Sequence, residues 1–151
     1  MSEQPAEVDE VEVKVMMAAD GAQAVGGKLY ILGGGFDRLN MPTVPFAHRF
    51  DVAMLIDVPW NATNQPYEVV VELVTADMEF AGYRAEARME TGRPPGTRQG
   101  TSITVPVAIP VLAEFRQPGR YVLRASVNGR LKNQLAIEAV APPSISQSQA
   151  A

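Results

Sequence analysis

The sequence predicts an all-β fold, a single-domain antiparallel β-sandwich of about eight strands with either immunoglobulin-like or jelly-roll connections. Three observations predict it. The stretch Pro118 to Val140 reads as a hairpin, with Tyr121, Leu123, Ala125 and Val127 alternating against Arg120, Val122, Arg124 and Ser126. Asn128-Gly129 supplies the tight turn, since a type I′ turn needs two residues that accept positive φ cheaply. Turn signals recur at a spacing of about ten residues, and no helical apolar period of useful length interrupts them.

The remaining strands follow in order. Val11, Val13, Val15 and Met17 form one face of a half-buried first strand that Asp20-Gly21 is expected to close. After Gly26-Gly27, the segment KLYILG carries apolar residues on both faces, which points to a central position between layers. Gly33-Gly34-Gly35 and Phe36 to Pro45 then make a long irregular connection. Phe46, His48, Phe50, Val52, Met54, Ile56 and Val58 form so long a stripe that a bulge or bend is expected within their strand. Pro59 ends it, and a turn-rich loop leads to Tyr67, Val69, Val71 and Leu73, inward against Glu68 and Glu72. Asp77 to Gly82 is another turn. Ala85, Ala87 and Met89 alternate with charged residues as an edge strand would. Pro106 and Pro110 place the strand of Ile103, Val105, Val107 and Ile109 at an edge or make it irregular, because proline cannot donate to a ladder. Residues 1–9 read as a disordered acidic N-terminus, 10–141 as the sandwich and 142–151 as a disordered tail.

Composition narrows the chemistry. The chain has no cysteine and one histidine, so thiolate zinc sites, disulfides and paired-imidazole sites are excluded. No basic-then-apolar leader and no apolar run of about 20 residues is present, so a cytoplasmic protein with no membrane association is expected. The net charge of −4 owes much to Glu3, Glu7, Asp9, Glu10 and Glu12, and nine of the thirteen bases lie after residue 83. That asymmetry marks a candidate basic face.

Gly33-Gly34-Gly35 follows a strand as a phosphate loop does, yet no Gly-Lys-Ser/Thr or helix follows, so a turn or bulge is the better reading. His48 shares a face with Phe46 and Phe50 and reads as a packed or partly exposed histidine rather than a base. The scattered Asp residues match no calcium loop and serve turns. Asn61-Ala62-Thr63 matches a glycosylation acceptor, without consequence in the absence of a secretion signal. Arg120 and Arg124 share an outward face, but aromatic residues do not alternate with the arginines, which disfavours nucleic acid. No catalytic residue, metal ligand or cofactor is implied.

KLYILGGGFDR, DVPWNATNQPYEVVVELV, GRPPG and PGRYVLRASVNG, in this order, resemble a family of small uncharacterised bacterial proteins, mainly actinobacterial. The resemblance covers about residues 11 to 140 and implies a bacterial cytoplasmic setting, with no site residues to carry over. The leading functional reading is a non-catalytic module that binds another protein. A small-ligand or carbohydrate-binding module is the alternative, and a hydrolase using carboxylates alone comes third. If successive strands alternate in direction, the loops Asp20 to Gly27, Pro59 to Pro66, Thr91 to Gly100 and the Asn128-Gly129 turn share one end, with the glycine loop opposite. That end gathers the candidate binding residues Trp60, Asn61, Asn64, Arg93 and Arg98, an aromatic anchor beside cationic donors. The competing reading folds Trp60 back to cap the core.

Overall fold

The structure, a computed structural model, describes residues 10–143, so the N-terminal segment 1–9 and residues 144–151 of the tail lie outside the described residues. Nine strands make two sheets. The first holds β1 (Glu12–Val25), β2 (Lys28–Gly34), β4 (Phe46–Val58) and β7 (Ile103–Phe115) in the order β2-β1-β4-β7. The second holds β3 (Arg38–Asn40), β5 (Pro66–Thr75), β6 (Phe80–Glu90), β8 (Gly119–Val127) and β9 (Arg130–Val140) in the order β3-β9-β8-β5-β6. Every pairing is antiparallel except β3 with β9.

The inward faces are those the alternation specifies. Phe50, Val52, Met54, Ile56 and Val58 of β4 meet Val69, Val71 and Leu73 of β5 and Tyr121, Leu123, Ala125 and Val127 of β8 in one buried core. His48 stacks between Phe46 and Phe50, at centroid distances of 5.4 and 6.0 Å, as a packed histidine. Asn128 and Gly129 carry φ of 50° and 82°, the pair of positive values that the β8–β9 turn requires.

The connectivity decides between the two sandwich types. With β1, β4 and β7 as strands A, B and E, and β5, β6, β8 and β9 as C, C′, F and G, the order is immunoglobulin-like rather than jelly-roll. A second feature agrees. Tyr121, at the start of β8, donates its hydroxyl to the carbonyl of Gln117 at 2.7 Å, closing the tyrosine corner that marks the E–F connection of such sandwiches. Leu123, two residues on, stands where antibody domains place their second cysteine, so aliphatic packing replaces the disulfide in this cysteine-free chain.

Five local expectations are corrected. Asp20-Gly21 does not end β1, which runs to Val25 and turns at Gly26-Gly27, with φ of 59° and 75°. The bulge expected in β4 is instead in β1: β4 keeps unbroken register with β7, whereas β1 shifts between Val13 and Val15. That shift reverses the parity of β1, so Met16 and Ala18 pack against the core in place of Val15 and Met17. β2 is an edge strand, not a central one, with Tyr30 57% and Leu32 75% exposed. The long connection after it contains β3, which raises the strand count to nine. The chain changes sheets at Gly33 to Gly35, where Gly33 has φ of 60° and a side chain would run into the Asp20 carboxylate. The edge positions expected for β6 and β7 are those observed.

Candidate functional site

Strand direction sorts the connections by end. β4 delivers the chain to Pro59 and a single 3₁₀ turn, Trp60–Ala62, at the end where β6 finishes, β7 begins and the Asn128-Gly129 turn lies. The loops Pro59 to Pro66 and Thr91 to Gly100 and that turn therefore share an end, as expected. The Asp20 to Gly27 segment does not join them. Because β1 runs antiparallel to β4, its turn with β2 falls at the far end, and the glycine crossover lies along the side of the sandwich.

The Trp60 end is built by hydrogen bonds between its two loops. Arg93 lays its guanidinium carbon 3.6 Å from the Trp60 ring centroid. Its Nε donates to Thr63 Oγ1 at 2.7 Å, and its Nη2 donates to the Trp60 carbonyl at 3.1 Å. Thr63, buried, in turn donates its hydroxyl to that carbonyl at 2.6 Å. The Asn64 N–H donates to the Thr91 carbonyl at 2.7 Å, from a backbone with φ of 60° that asparagine tolerates better than most residues. Below them, the Tyr67 hydroxyl and Thr91 Oγ1 lie 2.8 Å apart. Burial raises the pKa of that phenol above its ordinary value, with the Thr91 hydrogen bond opposing the rise.

Trp60 is thus half-buried, outside the main core, with a guanidinium over one face. It is neither the core cap nor the open platform that the sequence left as alternatives. The structure brings Trp60, Arg93 and the Asn64 backbone together. Asn61 and Arg98 are exposed elsewhere in the same two loops, and neither side chain has a hydrogen bond or ion pair among the described residues. Thr63, Thr91 and Tyr67 were not legible as site residues. One signal for them exists: Tyr67 faces inward, and a buried phenol must find a partner.

Beside this end lies an ionic cluster. Lys132 Nζ, on a side chain only 9% exposed, donates to Glu10 at 3.0 Å and Glu12 at 2.9 Å, while Arg130 donates to Glu10 at 2.9 Å. The Lys132 hydrogen bond, aided by Arg130, holds the Glu10 carboxyl below the ordinary carboxylate range. Hydrogen bonds from Lys132 to Glu12 and then Glu10 raise the lysine above its ordinary value, against desolvation. A depressed acid stabilises the fold above its unfolded pKa and loses that contribution as pH falls; a raised base stabilises below its unfolded pKa and loses it as pH rises. The melting-temperature gap between wild type and Lys132→Met is therefore expected to be full from about pH 5 to about pH 10 and to close on both sides. A gap independent of pH would assign the effect to packing of the lysine stem.

The opposite end carries a cleft of about 530 Å³ between the edges of β6 and β7, lined by Thr75, Phe80, Ala81, Glu114, Arg116 and Tyr121. Phe80 is 62% exposed there. Tyr83 closes the edge farther along, donating its hydroxyl to the Pro110 carbonyl at 2.8 Å. The described residues contain no group of three or more His, Cys, Asp or Glu able to hold a metal ion, and no helix long and apolar enough to cross a membrane.

Among solved structures, the chain is similar to an immunoglobulin-like protein from Pseudomonas aeruginosa at 14% identity and a TM-score of 0.37, over 87% of this chain and 97% of that one. No curated protein matches. The model of a family of unknown function, DUF6941, matches residues 14–140, and the chain belongs to that family.

Proposed function

We propose that the protein is a non-catalytic binding module that engages another protein through the loop end bearing Trp60, Asn61, Asn64, Arg93 and Arg98. The observation that carries this reading is the Trp60–Arg93 pair, held by two hydrogen bonds from the guanidinium at an exposed end of a rigid sandwich. Tryptophan and arginine are the residue types that most often dominate protein interfaces, and fixing their geometry beforehand removes part of the ordering cost of binding. A bacterial, cytoplasmic setting belongs to the same reading and rests on the resemblance described above.

The test is affinity capture from extract of the native host, with mass spectrometry, comparing wild type with Trp60→Ala/Arg93→Ala and with Phe80→Ala at the far end. A stoichiometric protein held by wild type and Phe80→Ala, and reduced at least about tenfold by the double substitution, is expected. A partner held equally by all three, or no partner, would sink the reading. One observation favours a second reading, a small-ligand module: the cleft at the far end combines the Phe80 and Tyr121 rings with Arg116 and Glu114. Loss of a ligand in Phe80→Ala alone would support it.

A further inference from the structure

The first sheet does not stay flat. β1 pairs with β4 only as far as Ala19, opposite Asp51, and its later residues pair with β2 alone. Both β1 and β2 nonetheless reach β7, on the far side of β4, so the β1–β2 hairpin curls back over the outer face of the sheet. Burial agrees. Ala19 and Ala53 do not belong to the core between the sheets, yet both are 0% exposed. Met17 lies opposite Ala53, and a side chain at Gly34 would run into Ile31 and Met17, so these residues form a thin second apolar layer at the root of the hairpin.

The curled part, residues 20–33, is fastened lightly. None of its residues belongs to the main core or packs against it. Its two limbs bend at one level: Ala19 is the last residue of β1 to meet β4, and it also pairs with Gly34, which lies between Gly33 and Gly35 with φ of 60° and 89°. Glycines at such a position absorb a change of backbone angle at low cost. Past that level no ladder to β4 continues, and the tie is a hydrogen bond from the Ala22 N–H to Asp51 Oδ2 at 2.8 Å. The contact with β7 includes no strand pairing among the described residues.

We propose that residues 20–33 form an arm that lifts from the outer face as a unit while the sandwich stays folded, with the Asp51 carboxylate as its latch. Asp51 is 7% exposed, and its Oδ1 makes no hydrogen bond among the described residues but faces the Arg49 guanidinium at 3.5 Å. In the closed arm this acid holds a charge-assisted hydrogen bond at the expense of hydration. Lifting the arm breaks the bond and restores the hydration, so the two changes offset each other. The released arm is a lone two-stranded hairpin, which is marginal in water, so its own ladder loosens as it lifts. The main core is left intact, and the lifted state uncovers Ala53 and opens Asp51 to solvent.

Native-state hydrogen exchange of the full chain, measured in rising sub-denaturing urea, tests this. Amides of residues 22–31 are expected to exchange through an opening that urea scarcely changes, whereas those in the middle of β5 and β8 exchange through the urea-sensitive global unfolding. Asp51→Ala removes the acceptor of the Ala22 N–H, and exchange in the arm should then quicken at least about tenfold relative to β5 and β8. Asp51→Asn keeps an uncharged acceptor and should fall between wild type and alanine. Arm amides that share the rate and the urea dependence of β5 and β8 in wild type would overturn the proposal, and that series decides the matter even where Asp51→Ala does not fold. An Asp51→Ala variant whose arm amides gain nothing over those of β5 and β8 would overturn the latch.

Discussion

Phe50→Ala is expected to destabilise the fold by about 3 to 5 kcal/mol, the range for removing a phenyl ring from a core that cannot collapse around the gap. Phe50 is fully buried at the middle of the first sheet, with Val111 beside it on β7, and its ring meets Phe36 edge-on at a centroid distance of 5.7 Å. Phe36 arrives from the segment that switches sheets, so the cavity would also loosen the crossover between β2 and β3. Leu123→Ala, fully buried on the facing sheet, should cost about 2 to 4 kcal/mol. Arg124→Ala, next along β8 and facing outward, should cost far less. Urea denaturation of the three variants checks this; equal midpoint shifts would mean that the two faces of β8 are misassigned.

That the two faces of β4, β5 and β8 are readable from the chain follows from the period of two, which either buries a residue set or exposes it. Edges are readable for a related reason: Pro106 and Pro110 cannot donate, and the alternating charges of β6 repel a further strand. The errors share a cause. A bulge costs a single residue of register, and nothing in the run Val11 to Met17 shows that Lys14 is the residue left unpaired. β2 looked central because Tyr30 and Leu32 are apolar on the face opposite Leu29 and Ile31. In the structure β2 is the last strand of its sheet, and Tyr30 and Leu32 are exposed there. β3 is three residues held by pairing with β9, too short for periodicity to detect.

The candidate site was legible in part. Counting strand directions groups the Trp60 and Arg93 loops whatever the order of strands in each sheet, because both follow strands that run the same way. The same count failed for Asp20 to Gly27, since it missed β3: three strands, not two, separate that turn from the Trp60 loop, which puts the two at opposite ends. Thr63 and Thr91 carry no pattern that separates them from ordinary loop threonines. Their role appears only when the loops are brought together and Arg93 and Tyr67 need acceptors.

Tyr121→Ala is expected to destabilise the protein about as much as Phe50→Ala, and Tyr121→Phe by about 1 to 3 kcal/mol. The two substitutions separate ring from hydroxyl. The ring is 8% exposed and packs edge-on against Phe115 at a centroid distance of 5.0 Å, so alanine removes buried area at the seam between the two sheets. The hydroxyl donates to the Gln117 carbonyl at 2.7 Å and stands 3.4 Å from the Gln117 N–H, which ties the chain down as it leaves β7 for β8. Phenylalanine keeps the ring and leaves that carbonyl half-buried without its donor, a loss that water offsets only in part. Both contacts of the hydroxyl are to Gln117, four residues away, so its effect is local. Amide exchange should then rise at Gly119 to Tyr121 in Tyr121→Phe while β5 and the middle of β4 stay protected. Uniform loss of protection across the sandwich would show instead that the corner is not a local clasp and that Tyr121 holds the two sheets together through its hydroxyl as well as its ring.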